Sequence, residues 1–423
     1  MAQLSDDCFA FGGALLGLEE ARRQIAAMFR PVTAIETVDL RDAVGRVLAS
    51  QITARIDLPP QGNSAVDGYA FRHADLAGSG ETVLPLQGRT AAGQRPANVA
   101  AGMASRIFTG AVMPRGLDTV MMQEDCTATE TSVTLPGGLR RGANTRRAGE
   151  DLAAGARALS AGRRLMPPDL ALLSAIGLSR VPVRTRLRVV VFSTGDELVE
   201  PPATLMPGQI YDANRVMLLA LLARLGVLAV DGGILPDRME ATAAALREAA
   251  SGCDLILTSG GVSTGEEDHV RAAIEAVGKL AFWRVAIKPG RPVALGEIST
   301  REIGGGEVAG KPLLGMPGNP VAALVTFTAL GRPLIDRLSG AVYAPPPAMR
   351  AVSGFAYRKK AGRREYVRVT FDGDGVARLF PKEGAGIITS LTEGEALMVL
   401  PEEMVELRPG DTAPVIAMGL LHG

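Results

Sequence analysis

Apolar residues recur at helical spacing over 14–30, with Leu18, Ala21, Ile25, Met28 and Phe29 on one stripe and Pro31 as the stop. Leu40 to Ile52 carries a second, mixed segment. From about 53 to 150 the pattern changes. Short runs such as Thr82-Val83-Leu84, Arg106-Ile107-Phe108 and Thr131 to Leu135 alternate with Gly and Pro turns, which predicts a small β-rich unit. Pro167-Pro168 then opens a helix containing Leu170, Leu172, Leu173 and Ile176, with Gly177 at its end. No strand pattern lies beside this helix, so it is expected to pack with the N-terminal helices. The β-rich unit (53–151) would then be an insertion in a discontinuous, elongated helical domain (1–52 and 152–186).

Over 187–339 the pattern is that of βαβ units. Leu187 to Phe192 is an unbroken apolar run, as expected of a strand buried on both faces. Further strands are predicted at Val227–Val230, Asp254–Thr258, Val293–Leu295 and Leu313–Gly315. Helices are predicted at Asn214–Leu225, Glu240–Ala250, Asp268–Val277 and Val321–Leu338. Alternation at this spacing favours a parallel sheet covered on both faces. Pro345-Pro346-Pro347 marks a boundary, and Glu365 to Phe371, Asp372-Gly373-Asp374-Gly375 and Val376 to Phe380 spell a hairpin. Residues 340–423 are expected to form a small β-barrel-like domain. The fold class is therefore multidomain α/β plus β.

Composition narrows the function. Lys+Arg and Asp+Glu both number 45, so there is no basic excess for a general nucleic-acid or membrane-surface role, and any anion site must be built locally. Cys8, Cys126 and Cys253 have neither metal nor disulfide spacing, which suits free thiols in a reducing compartment. The first basic residue is Arg22, and the longest apolar run, Val216 to Val230, is interrupted by Arg224. A cytoplasmic protein without membrane span or nucleic-acid partner is expected.

The unusual residues of 187–320 fall just after the predicted strands, where open α/β sheets bind ligands. Ser259-Gly260-Gly261-Val262-Ser263-Thr264-Gly265 leads into a helix; glycines let backbone N–H groups converge on an anion. Its spacing is neither that of a Walker loop nor that of a dinucleotide fingerprint. Glu266, Glu267 and Asp268 follow. Singly they read as helix caps; with Asp196, Glu197 and Asp237 on neighbouring loops they read as a hard-cation site. Lys288 and Arg291, in a loop stiffened by Pro289 and Pro292, suit an oxyanion or phosphate. Met316-Pro317-Gly318-Asn319-Pro320 is a second stiffened loop before a helix. His73, His269 and His422 show no ligand spacing, and no nucleophilic triad stands out.

These segments, in this order, closely resemble the molybdopterin molybdenumtransferase family (bacterial MoeA and the gephyrin E domain). The carrying residues are Asn63–Ala70, Thr109-Gly110-Ala111, Arg146–Asp151, Ser193–Leu198, Gln209–Asn214, Ser259–Asp268, Ala286–Pro292 and Met316–Pro320. The resemblance implies four domains: the elongated helical one, its β-rich insertion, a molybdopterin-binding α/β domain and a C-terminal β domain. It implies a homodimer in which the α/β cleft of one subunit faces the β-rich insertion of the other. The implied reaction inserts molybdate into adenylylated molybdopterin and releases AMP with the help of Mg²⁺.

By the same resemblance, Glu197, Asp237, Asp268, Asp67 and Asp151 are the expected catalytic residues: the first three hold Mg²⁺, and Asp67 and Asp151 position the pterin or support the site across the dimer. Substrate contacts are expected from Thr194, Gly195, Ser259, Gly260, Gly261, Ser263, Gly265, Lys288, Arg291, Pro317, Gly318, Asn319 and Pro320. Ser390 is expected to contact the oxyanion, with Arg363 or Arg364 nearby. Arg291 replaces a lysine common in the family, Thr264 a typically aliphatic residue and His269 a frequent Tyr, while Ala385 stands where a serine often does. A molybdopterin adenylyltransferase and recipient molybdoenzymes are the implied partners. The α/β segment alone also resembles molybdopterin adenylyltransferases and nucleotide amidases, but these lack the Asp67 segment. A non-catalytic scaffold is the remaining alternative.

Overall fold

A computed structural model describes residues 15–78, 80–262, 269–300 and 310–421, with the side chains of 269 and 283 left out. The α/β region is built on strands β1 (Arg188–Thr194), β2 (Leu228–Leu235), β3 (Leu255–Ser259), β4 (Gly278–Trp283), β5 (Ala294–Ile298) and β6 (Lys311–Met316). Its helices are α1 (Asn214–Arg224), α2 (Met239–Gly252), α3 (His269–Val277) and a helical stretch over 320–339. The sheet order is β2-β1-β3-β6-β5-β4. Along β1, Val189 and Val191 pack with α1 and the 320–339 stretch, while Val190 and Phe192 pack with α2 and α3. Both sides of the pleat are buried, which is why the run reads as continuously apolar.

β1, β2, β3 and β6 are mutually parallel, but β5 pairs antiparallel with β6, and β4 antiparallel with β5. The sheet is thus mixed at one edge. β4, which the sequence pattern does not predict, follows α3 without a break and turns back into β5, so no crossover helix separates them. The chain passes from β1 to β2 on one side and then to β3 on the other. The loops after β1 and β3 therefore flank a topological switch point, where an open sheet leaves a crevice.

The N-terminal helix (Leu18–Met28) buries Leu18, Ala21 and Ile25, and Phe29 continues the stripe; Met28 is 40% exposed and turns outward. Its partner is the 320–339 stretch rather than the Pro167–Ala175 helix. A local cause is visible. Pro333 has no N–H to give the carbonyl of Ala329, four residues back, and a π turn spans Phe327–Gly331 just before it. Arg22 Nε donates to that carbonyl at 3.0 Å, docking the N-terminal helix there. The Pro167–Ala175 helix instead packs, through Leu173, in a separate core with Ala43, Leu48 and Ala54 and with Val181 and Val183 of the ribbon Ile35–Asp39/Arg180–Arg184.

Between these parts the chain leaves and returns through paired short strands, Ile52–Thr53 with Arg157–Leu159 and Asn63–Ser64 with Thr145–Arg146. They frame a six-stranded sheet with its own core around Phe71, Leu84, Met121 and Leu135. The C-terminal sheet runs through Arg364–Phe371, Ala396–Leu400, Thr412–Ala417 and Met349–Val352. The Asp372 hairpin forms: its Oδ1 accepts the N–H groups of Asp374 (3.1 Å) and Val376 (2.9 Å), and Ala377–Leu379 pairs back onto Val369–Phe371. Ile287–Lys288, from the α/β region, joins the edge of this sheet parallel to Arg364 and Glu365.

Candidate functional site

A cavity of about 1290 Å³ opens at the switch point, between the carboxyl ends of the α/β strands and the C-terminal sheet. Thr194, Gly195, Glu197, Asp237, Ser259, Gly260, Gly261, Lys288, Arg291, Pro317, Gly318, Asn319 and Pro320 all line it. Ser263, Gly265 and Asp268 lie outside the described residues, as do Thr264, Glu266 and Glu267. Asp67, Asp151 and Ser390 do not line it. Ser390 is fully buried, and its hydroxyl donates to the Ile387 carbonyl at 2.6 Å, inside its own turn; Ala385, Gly386 and Ile388 are the neighbours that reach the cavity.

The floor depends on close backbone approach. Gly260 (φ +101°) and Gly261 (φ +62°) take conformations that disfavour side chains. Gly260 N–H donates to the Met316 carbonyl at 2.9 Å, tying the loop after β3 to the end of β6. Asn214, at the start of α1, spans both: its Nδ2 donates to Ser259 Oγ (2.8 Å) and to the Gly318 carbonyl (2.6 Å). Ser193 and Thr194 present buried hydroxyls without a hydrogen-bond partner among the described residues. Buried donors of this kind at a cavity wall suit a polar ligand.

Carboxylates gather at the ends of β1 and β2. Asp196 N–H donates to Asp237 Oδ2 at 3.2 Å, and Asp237 N–H donates to Asp196 Oδ1 at 3.1 Å, so each loop holds the other. Glu197 folds its carboxylate over Gly195, where a Cβ would collide with it. Buried Arg215 fastens the base of this region through Asp212 (2.9 Å), Asp231 and Glu200; burial works against its charged form, but Asp212 and Asp231 outweigh it and hold the guanidinium protonated. Among the described residues no group of three or more His, Cys, Asp or Glu is clustered tightly enough to hold a metal by itself.

The opposite wall is basic. Lys288 Nζ lies 3.1 Å from Glu365 Oε2, and Arg363 Nε donates to Glu365 Oε1 at 2.7 Å. Tyr357 donates its hydroxyl to the same carboxylate at 2.9 Å; burial first, then the Glu365 charge, push its pKa well above the usual phenol range. Arg368 joins the wall, and burial draws its pKa down from the usual guanidinium value. Of the two arginines expected near the oxyanion, Arg363 lines the cavity, whereas Arg364 turns away to Glu19 and Glu402. Glu365 and Tyr357 escape the sequence reading. The available signal is alternation: Glu365 occupies the inward register of Val367 and Val369, an acid where a core residue is expected.

In the β-rich region Asp67 accepts two hydrogen bonds from Thr109, from its N–H and its Oγ1, both at 2.7 Å; these hold its carboxyl below the usual range. No helix among the described residues is long and apolar enough to cross a membrane.

Comparison with known proteins covers most of the chain. A model described as MoeA N-terminal region (domain I and II) matches residues 16–177. One described as Probable molybdopterin binding domain matches 190–337, and one described as MoeA C-terminal region (domain IV) matches 350–418. A molybdopterin molybdenumtransferase of Haemophilus influenzae is 36% identical over 416 residues, 97% of this chain and 100% of the relative. One from Nostoc sp. is 35% identical over 377 residues, 86% of this chain and 85% of the relative. The crystal structure of a molybdopterin biosynthesis MoeA protein from Pyrococcus horikoshii superposes with a TM-score of 0.79 at 28% identity, covering 95% of this chain and 99% of that one.

Proposed function

The chain belongs to the MoeA family of molybdopterin molybdenumtransferases, enzymes of molybdenum cofactor biosynthesis, and from that premise we propose how its cavity performs the transfer. The substrate is adenylylated molybdopterin, and molybdate enters its dithiolene as AMP leaves. The observation that carries this reading is the convergence of the loops after β1, β2, β3 and β6 with a basic C-terminal wall on one cavity. Phosphates and molybdate are all anions. Bringing them together requires fixed cations and donors on the protein side.

Lys288, Arg291 and Arg363 hold the oxyanion, with lysine acting as a point charge and arginine as a planar fork. Ser259, Gly260, Gly261 and the Pro317–Pro320 loop take the pterin and phosphate end, with Thr194 offering its hydroxyl, unpartnered among the described residues, and Gly195 the close approach its missing side chain allows. Asp237 and Glu197 suit Mg²⁺: both are hard oxygen donors lining one cavity, from adjacent loops. This ion habitually uses one or two carboxylates and fills its shell with phosphate and water, which a pair of carboxylates beside bound phosphates would allow. Bound Mg²⁺ supplies charge neutralisation at the phosphates. Asp237 and Glu197 orient that end of the substrate, and the basic wall keeps the incoming oxyanion beside it.

The test is AMP release by purified protein supplied with adenylylated molybdopterin. Release is expected only when molybdate is present. Cleavage at an equal rate without molybdate would replace this reading with that of a phosphohydrolase.

In the homodimer proposed here, Asp67 and Asp151, which lie off the cavity of their own chain, complete the partner's site. A mixture of Asp67→Asn and Glu197→Gln chains, each inactive alone, should then recover about a quarter of wild-type activity on random re-pairing of subunits. Zero recovery after demonstrated subunit exchange would remove Asp67 from the partner's site. A cytoplasmic setting, with an adenylyltransferase supplying the substrate and molybdoenzymes receiving the product, completes the proposal.

A further inference from the structure

The geometry points to Glu365 as a positioning residue that fixes the directions of Lys288 and Arg363 and thereby sets affinity for the tetrahedral oxyanion. This rests on the reading above that Lys288 and Arg363 hold that anion. Glu365 is 1% exposed, whereas the Lys288 side chain is 50% exposed at the cavity wall. A purely structural ion pair would have no need to present one partner to the cavity.

Both carboxylate oxygens are engaged. Oε1 takes Arg363 Nε at 2.7 Å; Oε2 takes the Tyr357 hydroxyl at 2.9 Å and lies 3.1 Å from Lys288 Nζ. Lys288 Nζ also donates to the Tyr357 hydroxyl at 3.3 Å and sits 5.8 Å from the centre of its ring. These contacts use one of the five guanidinium N–H groups and at most two of the three ammonium ones, leaving donors on both cations that Glu365 does not consume. The backbone enforces the same arrangement. Lys288 and Glu365 are register partners in the parallel pairing of Ile287–Lys288 with Arg364–Glu365, and Arg364 N–H donates to the Ala286 carbonyl at 2.8 Å. One buried anion therefore locks a cation of the α/β loop to a cation at the start of the C-terminal strand Arg364–Phe371, at the seam that the cavity occupies.

Positioning and charge counting predict opposite signs. Glu365→Gln removes a negative charge from the wall, which by Coulomb's law alone tightens anion binding. If Glu365 positions the two cations, the same change frees them and weakens it. The experiment compares full-length wild type, Glu365→Gln and Glu365→Asp. Glu365→Gln is expected to raise KM for molybdate about tenfold while kcat stays within about threefold, with affinity for the pterin substrate near wild type. Glu365→Asp should recover part of the loss.

A KM for molybdate that is unchanged or lowered in Glu365→Gln overturns the proposal, as does an equal loss of pterin affinity, which marks a structural role. Lys288→Ala runs alongside. If it leaves KM for molybdate unmoved, both the anion role of Lys288 and this proposal fall; if it moves KM and Glu365→Gln does not, this proposal falls alone. Should Glu365→Gln not fold, Tyr357→Phe removes one donor from the same carboxylate. Its expected rise in KM is about threefold, and no rise overturns the proposal.

Discussion

Asp237→Asn is expected to lower kcat by about two to three orders of magnitude while leaving the protein folded. The substitution is nearly isosteric, and the side-chain amide oxygen can still accept the Asp196 N–H that Asp237 Oδ2 now takes at 3.2 Å. The Asp237 N–H keeps its bond to Asp196 Oδ1 at 3.1 Å. The clasp between the loops after β1 and β2 therefore persists, and what disappears is one full negative charge at the cavity. Loss of a single preorganised electrostatic group costs about 10²–10³ in kcat where that group acts on developing charge. The measurement is kcat at saturating molybdate and pterin substrate, paired with thermal unfolding. A kcat within about threefold of wild type would take Asp237 out of the chemistry. A collapse of stability would assign it to the clasp alone.

The sequence made the floor of the cavity legible because its constraints are local. A backbone that must approach another backbone needs glycine, and a loop that must not bend needs proline. Gly260 and Gly261 advertise the first, and Pro289, Pro292, Pro317 and Pro320 the second. Continuous apolar runs likewise identified the central strands, since burial on both faces erases the period of two.

The opposite wall was hidden for the converse reason. Glu365 meets Lys288 only through pairing between segments 77 positions apart, and nothing local distinguishes a buried acid with three partners from a solvated one. Ser390 shows the reverse error. Its residue type suits an oxyanion contact, but its hydroxyl is buried and donates to the Ile387 carbonyl inside its own turn. The direction of the edge strands is not legible because Val293 to Leu295 fits a parallel and an antiparallel strand equally; direction comes from the connections, and here β4 turns back into β5 with no helix between them, and β5 pairs antiparallel with β6. The docking of the N-terminal helix is equally illegible, since both the 320–339 stretch its apolar stripe meets and the Ala329 carbonyl that Arg22 reaches lie about three hundred positions away in sequence.

Gly260→Val should abolish binding of the pterin substrate and destabilise the protein by about 3 kcal/mol or more. Two independent costs combine. At φ +101° a residue with a Cβ is strained whatever the space around it, and a branched one most of all. Space is also lacking: a Cβ at this position runs into the Thr194 carbonyl oxygen and comes within 2.7 Å of Thr194 Oγ1. The loop after β3 would have to retreat from β1, against its N–H bond to Met316 and its approach to Gly318, whose own Cβ position is 3.6 Å from Gly260 Cα. Both sides of the switch point would shift together, which is why a single substitution should remove binding rather than weaken it. Gly373→Ala supplies the control, because Gly373 has nothing within 4 Å of a Cβ and no positive φ, and a change of under about 0.5 kcal/mol is expected there. Pterin-substrate titration and denaturant unfolding of the two variants decide the matter. Near-wild-type affinity in Gly260→Val would mean that the switch-point loops do not form the substrate floor.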